Sequence, residues 1–306
     1  MSEFDFDGRR IVVKVAGRTD VGQRRRENQD SFLVAEFLED DEGQLLEPDV
    51  ETGGPVGSEF TLGPKGALCL VADGMGGAAA GGLAANVAVQ CIHDEMRRNW
   101  VADRVNTPRH FAQRLKEAVE ASNSRIHGAS LADPNYRGMG TTATAVGLLE
   151  SFLYVAQVGD SRAYMVRNSE AVQLTRDQSY IQHLVDSGAI TEEEAEKSDH
   201  RNMILQALGT SPYVDVDLTF QEVRRGDIVI VCSDGLSKVV SRTDISDVAN
   251  RAGEPAGICD ELVDLANLRG GPDNITVLAA RFDGMGLDEP GDEDTVGHRV
   301  FTIDRG

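Results

Sequence analysis

Apolar positions recur along this chain with two periods. Alternation, or a short apolar run, predicts strands at residues 11–17, 31–36, 67–72, 141–149, 152–157, 162–167, 171–174, 214–220, 227–232 and 275–282. A repeat near 3.6 predicts helices at 82–100, 108–127, 243–251 and 255–269. The second helix has a clear start, with Thr107 placed to cap it and Pro108 filling its first turn. Phe111, Leu115, Ala118, Val119, Ser122 and Ile126 then share one face, which should cover a sheet. The short connections between 141 and 174 point to antiparallel meanders rather than βαβ alternation. The fold class is therefore α+β, sheets with covering helices. Residues 177–212 turn polar and helical, with Thr191 and Glu194 at capping-box spacing, and are expected to form a small inserted subdomain. Residues 38–66, rich in Glu, Asp, Gly and Pro, are expected to be an exposed loop, and residues 284–306 an acidic mobile tail.

Charge narrows the function classes. The 306 residues carry 51 Asp+Glu against 30 Lys+Arg, a formal net charge of -21, which repels phosphate backbones and anionic lipid and so disfavours nucleic-acid or membrane-surface binding. The start lacks the apolar core of a signal peptide, and no apolar run approaches bilayer length, so a cytoplasmic location is expected. Cys69, Cys91, Cys232 and Cys259 form no CxxC pair and are expected to be buried, reduced thiols. The six histidines are scattered and match no metal pattern such as HExxH; no GxSxG elbow occurs, and the one CxxxxxR spacing, Cys91 to Arg97, lies within the helix predicted at 82–100 and not in a phosphate-cradling loop.

The acidic residues themselves are more specific. Three apolar strands stop at an aspartate, at Asp73, Asp160 and Asp234, and two of these are followed by a glycine, Gly74 and Gly235. Asn28-Gln29-Asp30 precedes another strand, and Pro272-Asp273-Asn274 the last one. Each alone is an ordinary turn or cap. Brought together, two carboxylates about 4 Å apart repel by roughly 4 kcal/mol at an effective dielectric near 20, so a cluster of them requires cations. Oxygen-only ligation points to magnesium or manganese, and two such ions could activate water and clamp a phosphoryl group.

The series TDVGQRRRENQDS (19–31), VADGMGG (71–77), GMGTT (138–142), GDSRAY (159–164), CSDGL (232–236) and GGPDNIT (270–276) resembles the metal-dependent PPM-type, or type-2C, serine/threonine protein phosphatases, in order and spacing, and most nearly their bacterial branch. The resemblance implies a four-layer α-β-β-α sandwich of two antiparallel sheets flanked by helix pairs, over residues 10–283, with 177–212 as a helical flap. It further implies that Asp73 bridges two Mg2+ or Mn2+ ions, that the Gly74 carbonyl binds one, that Asp234 and Asp273 ligate the other, and that Asp30 holds metal-bound water. Asp160, with Asp234, matches a weaker third site. Arg25 matches the arginine that grips the substrate phosphate, a task suited to a planar two-pronged donor. The implied reaction is direct hydrolysis of phosphoserine or phosphothreonine by a metal-bridging hydroxide, without a phosphoenzyme. The implied partners are phosphorylated proteins and the Ser/Thr kinases that make them, with the protein acting as a monomer.

The chain departs from the family pattern at Gln29 (often Glu), at Met75 (a histidine proposed as general acid in eukaryotic members) and at Gln178 (often histidine), leaving the leaving-group proton donor unassigned. Asn274 is expected to orient Asp273, and Thr141 and Thr142 to support the sheet. Two rival readings exist. One is a pseudophosphatase that binds phosphoproteins without hydrolysis. The other is dinucleotide binding through Gly74-x-Gly76-x-x-Ala79, with Asp94 and Glu95 about 20 residues on.

Overall fold

The computed structural model describes residues 10–39, 43, 45–49, 52–76, 80–191, 194, 203–291 and 294–303. Two sheets lie face to face. In the first the strands run in the order β10 (Glu170–Gln173), β9 (Arg162–Arg167), β12 (Ile228–Cys232), β13 (Ile275–Asp283), β1 (Val12–Asp20) and β4 (Val56–Thr61). In the second the order is β11 (Asp217–Glu222), β8 (Phe152–Val158), β7 (Ala143–Leu149), β5 (Ala67–Met75), β2 (Asp30–Glu36) and β3 (Leu45–Leu46), with the short β6 (Gly140–Thr141) on the end of β5. Every strand pair among the described residues is antiparallel, which leaves no βαβ unit for a dinucleotide.

Period-2 patterning accounts for the layering. In β2, Leu33 and Ala35 face the helices while Phe32 and Val34 face the other sheet; in β5, Leu68, Leu70 and Ala72 face the helices and Ala67 and Val71 the other sheet. Three cores result. One lies between the sheets, one joins the second sheet to α1 (Ala80–Met96) and α2 (Pro108–Ala132), and one joins the first sheet to α5 (Arg242–Ala252) and α6 (Pro255–Leu268). The shorter α3 (Tyr180–Asp186) opens the 177–212 segment, and α4 (Asp234–Ser237) is a single turn after β12.

The expected helix starts hold. The Thr107 hydroxyl accepts from the His110 N–H at 3.3 Å with Pro108 in the first turn, and all six residues expected on the inner face of α2 are buried. Thr191 and Glu194 reciprocate, the Thr191 N–H donating to Glu194 Oε2 at 2.8 Å and the Glu194 N–H to Thr191 Oγ1 at 3.2 Å. The helix expected to reach residue 100 does so through a π turn, Arg97–Val101, that buries Trp100 against Phe111.

Two expectations are corrected. Residues 38–66 are not wholly loop: β4 pairs with β1 along its length and β3 with β2. The signal was an alternation over 56–61 that buries Phe60 and leaves Gly57, Glu59 and Thr61 exposed, diluted by the small and charged residues of an edge strand. The described part of 284–303 is docked rather than a free tail. Leu287 is buried, Arg224 grips Asp294 at 2.8 Å, and the Phe301 N–H donates to the Leu218 carbonyl at 2.7 Å while the Phe220 N–H donates to the Arg299 carbonyl at 2.9 Å. Phe301 also stands edge-on to Tyr154 and Phe220, with ring centroids 5.4 and 5.6 Å apart. Apolar residues dispersed among charged ones hid this docking from composition.

Candidate metal centre

The inward register of the strands delivers the site. The pairing of β2 with β5 sets Asp30 opposite Asp73, and each continues the face that carries Phe32 and Val34, or Ala67 and Val71, towards the other sheet. At this end of the inter-sheet core the inward positions change from apolar to polar, and Thr144, Gln157, Ser161, Ser233 and Thr276 are all buried there. Asp160 lies in the turn between β8 and β9, Asp234 opens α4 after β12, and Asp273 precedes β13. Two of the aspartates therefore come from the second sheet, two from the first, and Asp160 from the turn that joins them.

The backbone around them is tightly held. Thr276 Oγ1, on the first sheet, donates to Asp30 Oδ2 at 2.7 Å across the interface. Thr141 Oγ1 donates to the Asp73 carbonyl at 2.9 Å, and the Asp73 N–H donates to Thr142 Oγ1 at 2.9 Å, so both threonines do support this strand end. Gly74 and Gly235 are required by close approach. A Cβ on Gly74 would lie 2.2 Å from the Gly81 carbonyl oxygen, and one on Gly235 would lie 1.9 Å from that of Asn274. Asn274 acts differently from expectation. Its amide nitrogen donates to the carbonyls of Val21 and Glu27 at 3.0 Å and its oxygen accepts from the Gln29 N–H at 2.9 Å. The side chain thus clamps the loop carrying Arg25, while Asp273 Oδ1 is met by the Asn274 backbone N–H at 3.0 Å.

Electrostatics mark the cluster as short of cations. Burial pushes the Asp30 and Asp160 carboxyls up to about 7, with Asp234 adding to both and the Ser233 and Thr276 hydroxyls opposing the rise at Asp30. Burial raises Asp73 well above the usual carboxylate range, reinforced by Asp30, Asp234, Asp160 and Asp273. Burial also raises Asp234, against the pull of Lys238. Two cations sit among these groups. Arg25 meets Asp273 with two prongs, Nε to Oδ1 at 2.7 Å and Nη2 to Oδ2 at 2.8 Å, and the Lys238 ammonium bonds Asp234 Oδ2. Lys238 was not singled out in the sequence; its signal is the four-residue spacing from Asp234.

Among the described residues, no three His, Cys, Asp or Glu side chains are gathered closely enough to hold an ion as they stand. Against that, Asp30 Oδ1, Asp160 Oδ1 and Asp234 Oδ1 are buried with no hydrogen-bond partner. A carboxylate rotates about its side-chain bonds at small cost, and a buried oxygen left without a donor carries a penalty that a coordinated cation relieves. The all-oxygen donor set therefore fits Mg2+ or Mn2+. Thiolate chemistry is disfavoured by the same burial, which pushes the Cys69, Cys232 and Cys259 thiols up to about 12. Of the described histidines, His110, His127 and His298 are bonded to Asp103, the Gly209 carbonyl and Asp217, away from the cluster.

A groove of about 580 Å³ lies outside the carboxylate cluster, between the root of the 177–212 segment, Lys116 and the 300–303 segment. Gln178 links the two regions. Its Oε1 accepts from the Gly159 N–H at 2.9 Å, next to Asp160, and its Nε2 donates to the Asp215 carbonyl at 3.2 Å.

Comparison with known proteins places this geometry. The family model described as Protein phosphatase 2C matches residues 58–262. The protein phosphatase PhpP of Streptococcus pneumoniae is 32% identical over 265 residues, covering 87% of this chain and 96% of that protein. The serine/threonine protein phosphatase PstP of Mycobacterium tuberculosis is 39% identical over 274 residues, covering 88% of this chain; the chain spans 45% of that relative's length. The crystal structure of the catalytic domain of PstP in complex with two manganese ions superposes with a TM-score of 0.70 at 33% identity, covering 89% of this chain and 99% of that one.

Proposed function

This chain belongs to the protein phosphatase 2C family, whose members depend on Mg2+ or Mn2+, and from that premise we propose that it hydrolyses phosphoserine and phosphothreonine in protein substrates at the Asp30, Asp73, Asp160, Asp234, Asp273 cluster. The observation that carries the proposal is the set of three buried, unpartnered carboxylate oxygens among aspartates from both sheets. When bound, two divalent cations supply the positive charge that activates water and neutralises the phosphate. Asp73 would bridge them with the Gly74 carbonyl on one side, Asp234 and Asp273 would hold the other, and Asp160 with Asp234 a weaker third. Asp30, fixed by Thr276, would hold the attacking water in place. Arg25 has 55% of its side chain exposed, so its guanidinium is free to exchange Asp273 for the phosphate, which accepts the same two-pronged bond.

In this reading residues 10–283 are the catalytic unit and 177–212 a flap whose root, through Gln178, braces the Asp160 turn. The substrates are phosphoproteins and the opposing enzymes Ser/Thr kinases, with the protein acting as a monomer in the cytoplasm. No helix among the described residues is long and apolar enough to cross a membrane. The test is Mn2+-dependent hydrolysis of p-nitrophenyl phosphate and of a phosphothreonine peptide by wild type and Asp234→Asn. Wild type should turn over both while the variant falls at least 100-fold, roughly the loss of one transition-state charge contact. A wild type no faster than Asp234→Asn would leave the pseudophosphatase reading in its place.

A further inference from the structure

Lys238 is the charged residue of the cluster to which the proposed reaction gives no task. The one-turn helix α4 sets its place. Ser233 stands at the N-cap, Asp234 opens the turn, and the Lys238 N–H closes it on the Asp234 carbonyl at 2.9 Å, so the ammonium folds back onto Asp234 Oδ2. Only 23% of the lysine side chain and 11% of the aspartate side chain are exposed. Asp160 and Asp273 also attract the ammonium. The other oxygen of Asp234 and Oδ1 of Asp160 are buried without a hydrogen-bond partner.

An ammonium and a divalent ion need the same lone pairs, and a carboxylate oxygen engaged by the first is a poorer ligand for the second. Arg25 poses no such conflict, because it is half exposed and withdraws to solvent or to phosphate. Lys238 is mostly enclosed, so its charge stays near when metal arrives. We propose that Lys238 is a built-in counter-ion that competes with the divalent cation for Asp234, and so weakens metal binding on the Asp160–Asp234 side of the centre. The inference rests on the reading of Asp234 as a metal ligand. A purely structural ion pair within a helix turn differs in its consequence: its removal lowers stability and leaves metal affinity alone.

The decisive variant is Lys238→Met, which keeps the apolar stem and removes the charge. Mn2+ affinity is read by titration calorimetry and by the loss of the free-ion electron paramagnetic resonance signal. The weakest-bound Mn2+ should bind about tenfold more tightly in the variant, the range expected when one charged partner of a buried carboxylate is withdrawn. Lys238→Arg, which keeps the charge, should behave as wild type. If Lys238→Met does not fold without metal, it is prepared loaded and Mn2+ release is followed after adding chelator; release slower than wild type supports the proposal. Affinity and release equal to wild type, or weaker binding, overturn it. A wild type that binds no Mn2+, or an Asp234→Asn variant that binds it as well as wild type, would instead remove the assignment of Asp234 itself.

Discussion

Thr276 ties the two sheets together at the carboxylate cluster. Its hydroxyl lies 2.6 Å from that of Thr19 and donates to Asp30 at 2.7 Å, so the carboxylate is oriented from the opposite layer. Thr276→Val keeps the shape and removes the donor. It should cost about 1–3 kcal/mol, the penalty for stranding a buried acceptor, and weaken Mn2+ binding; urea unfolding and Mn2+ titration measure the two. An unchanged midpoint would mean that Asp30 finds another donor. The placement of Asp30 and Asp73 was legible in the sequence, because both fall on the inward parity of a strand whose other inward residues are apolar. The pairing of Lys238 with Asp234 was not, because a single helical turn after Asp-Gly looks like any other turn until its backbone is seen to close. Asn274 was misread for a related reason: sequence neighbours suggest that its amide serves Asp273, whereas its partners lie in the 21–29 loop, about 250 positions away along the chain.

Strands and helices with strong periodicity were correctly anticipated, and those at the margins of the sheets were not. The edge strand β4 buries one face only at Phe60, and the 299–301 segment adds to β11 by backbone bonds that leave no mark on side-chain pattern. The latter addition depends on Phe301, wedged edge-on between Tyr154 and Phe220. Phe301→Ala should destabilise the protein by about 1–3 kcal/mol through lost aromatic packing and burial. It should also raise hydrogen–deuterium exchange at the Phe220 amide, whose acceptor is the Arg299 carbonyl. If that amide stays as protected as in wild type, the segment is held by something other than its aromatic anchor.

Across the molecule, the net charge of -21 separates into a solvated surface and a buried knot of aspartates, and the proposed metal centre draws on the knot. Stripping metal with a chelator should lower the melting temperature. Restoring Mn2+ to about 100 times its dissociation constant should return about 2.7 kcal/mol, a shift of roughly 5 °C or more for a domain of this size. Sodium chloride at equal ionic strength should not reproduce it, since it screens the surface without entering the cluster; equal rescue by salt would reduce the effect to general repulsion.

The last strand, β13, lies between β12 and the first strand, β1, and Asp273 stands immediately before it. A chain stopped short of residue 275 can still pair Asp30 with Asp73 along β2 and β5, yet its other sheet is split down the middle, with no Thr276 to orient Asp30 and with β12 paired to β9 alone. Closure must wait for the most distant pairing in the chain, the slow kind of contact to form. On the proposed reading, a fragment that ends before β13 should show no hydrolysis, because the carboxylates of the two sheets come together only when β13 closes between β12 and β1.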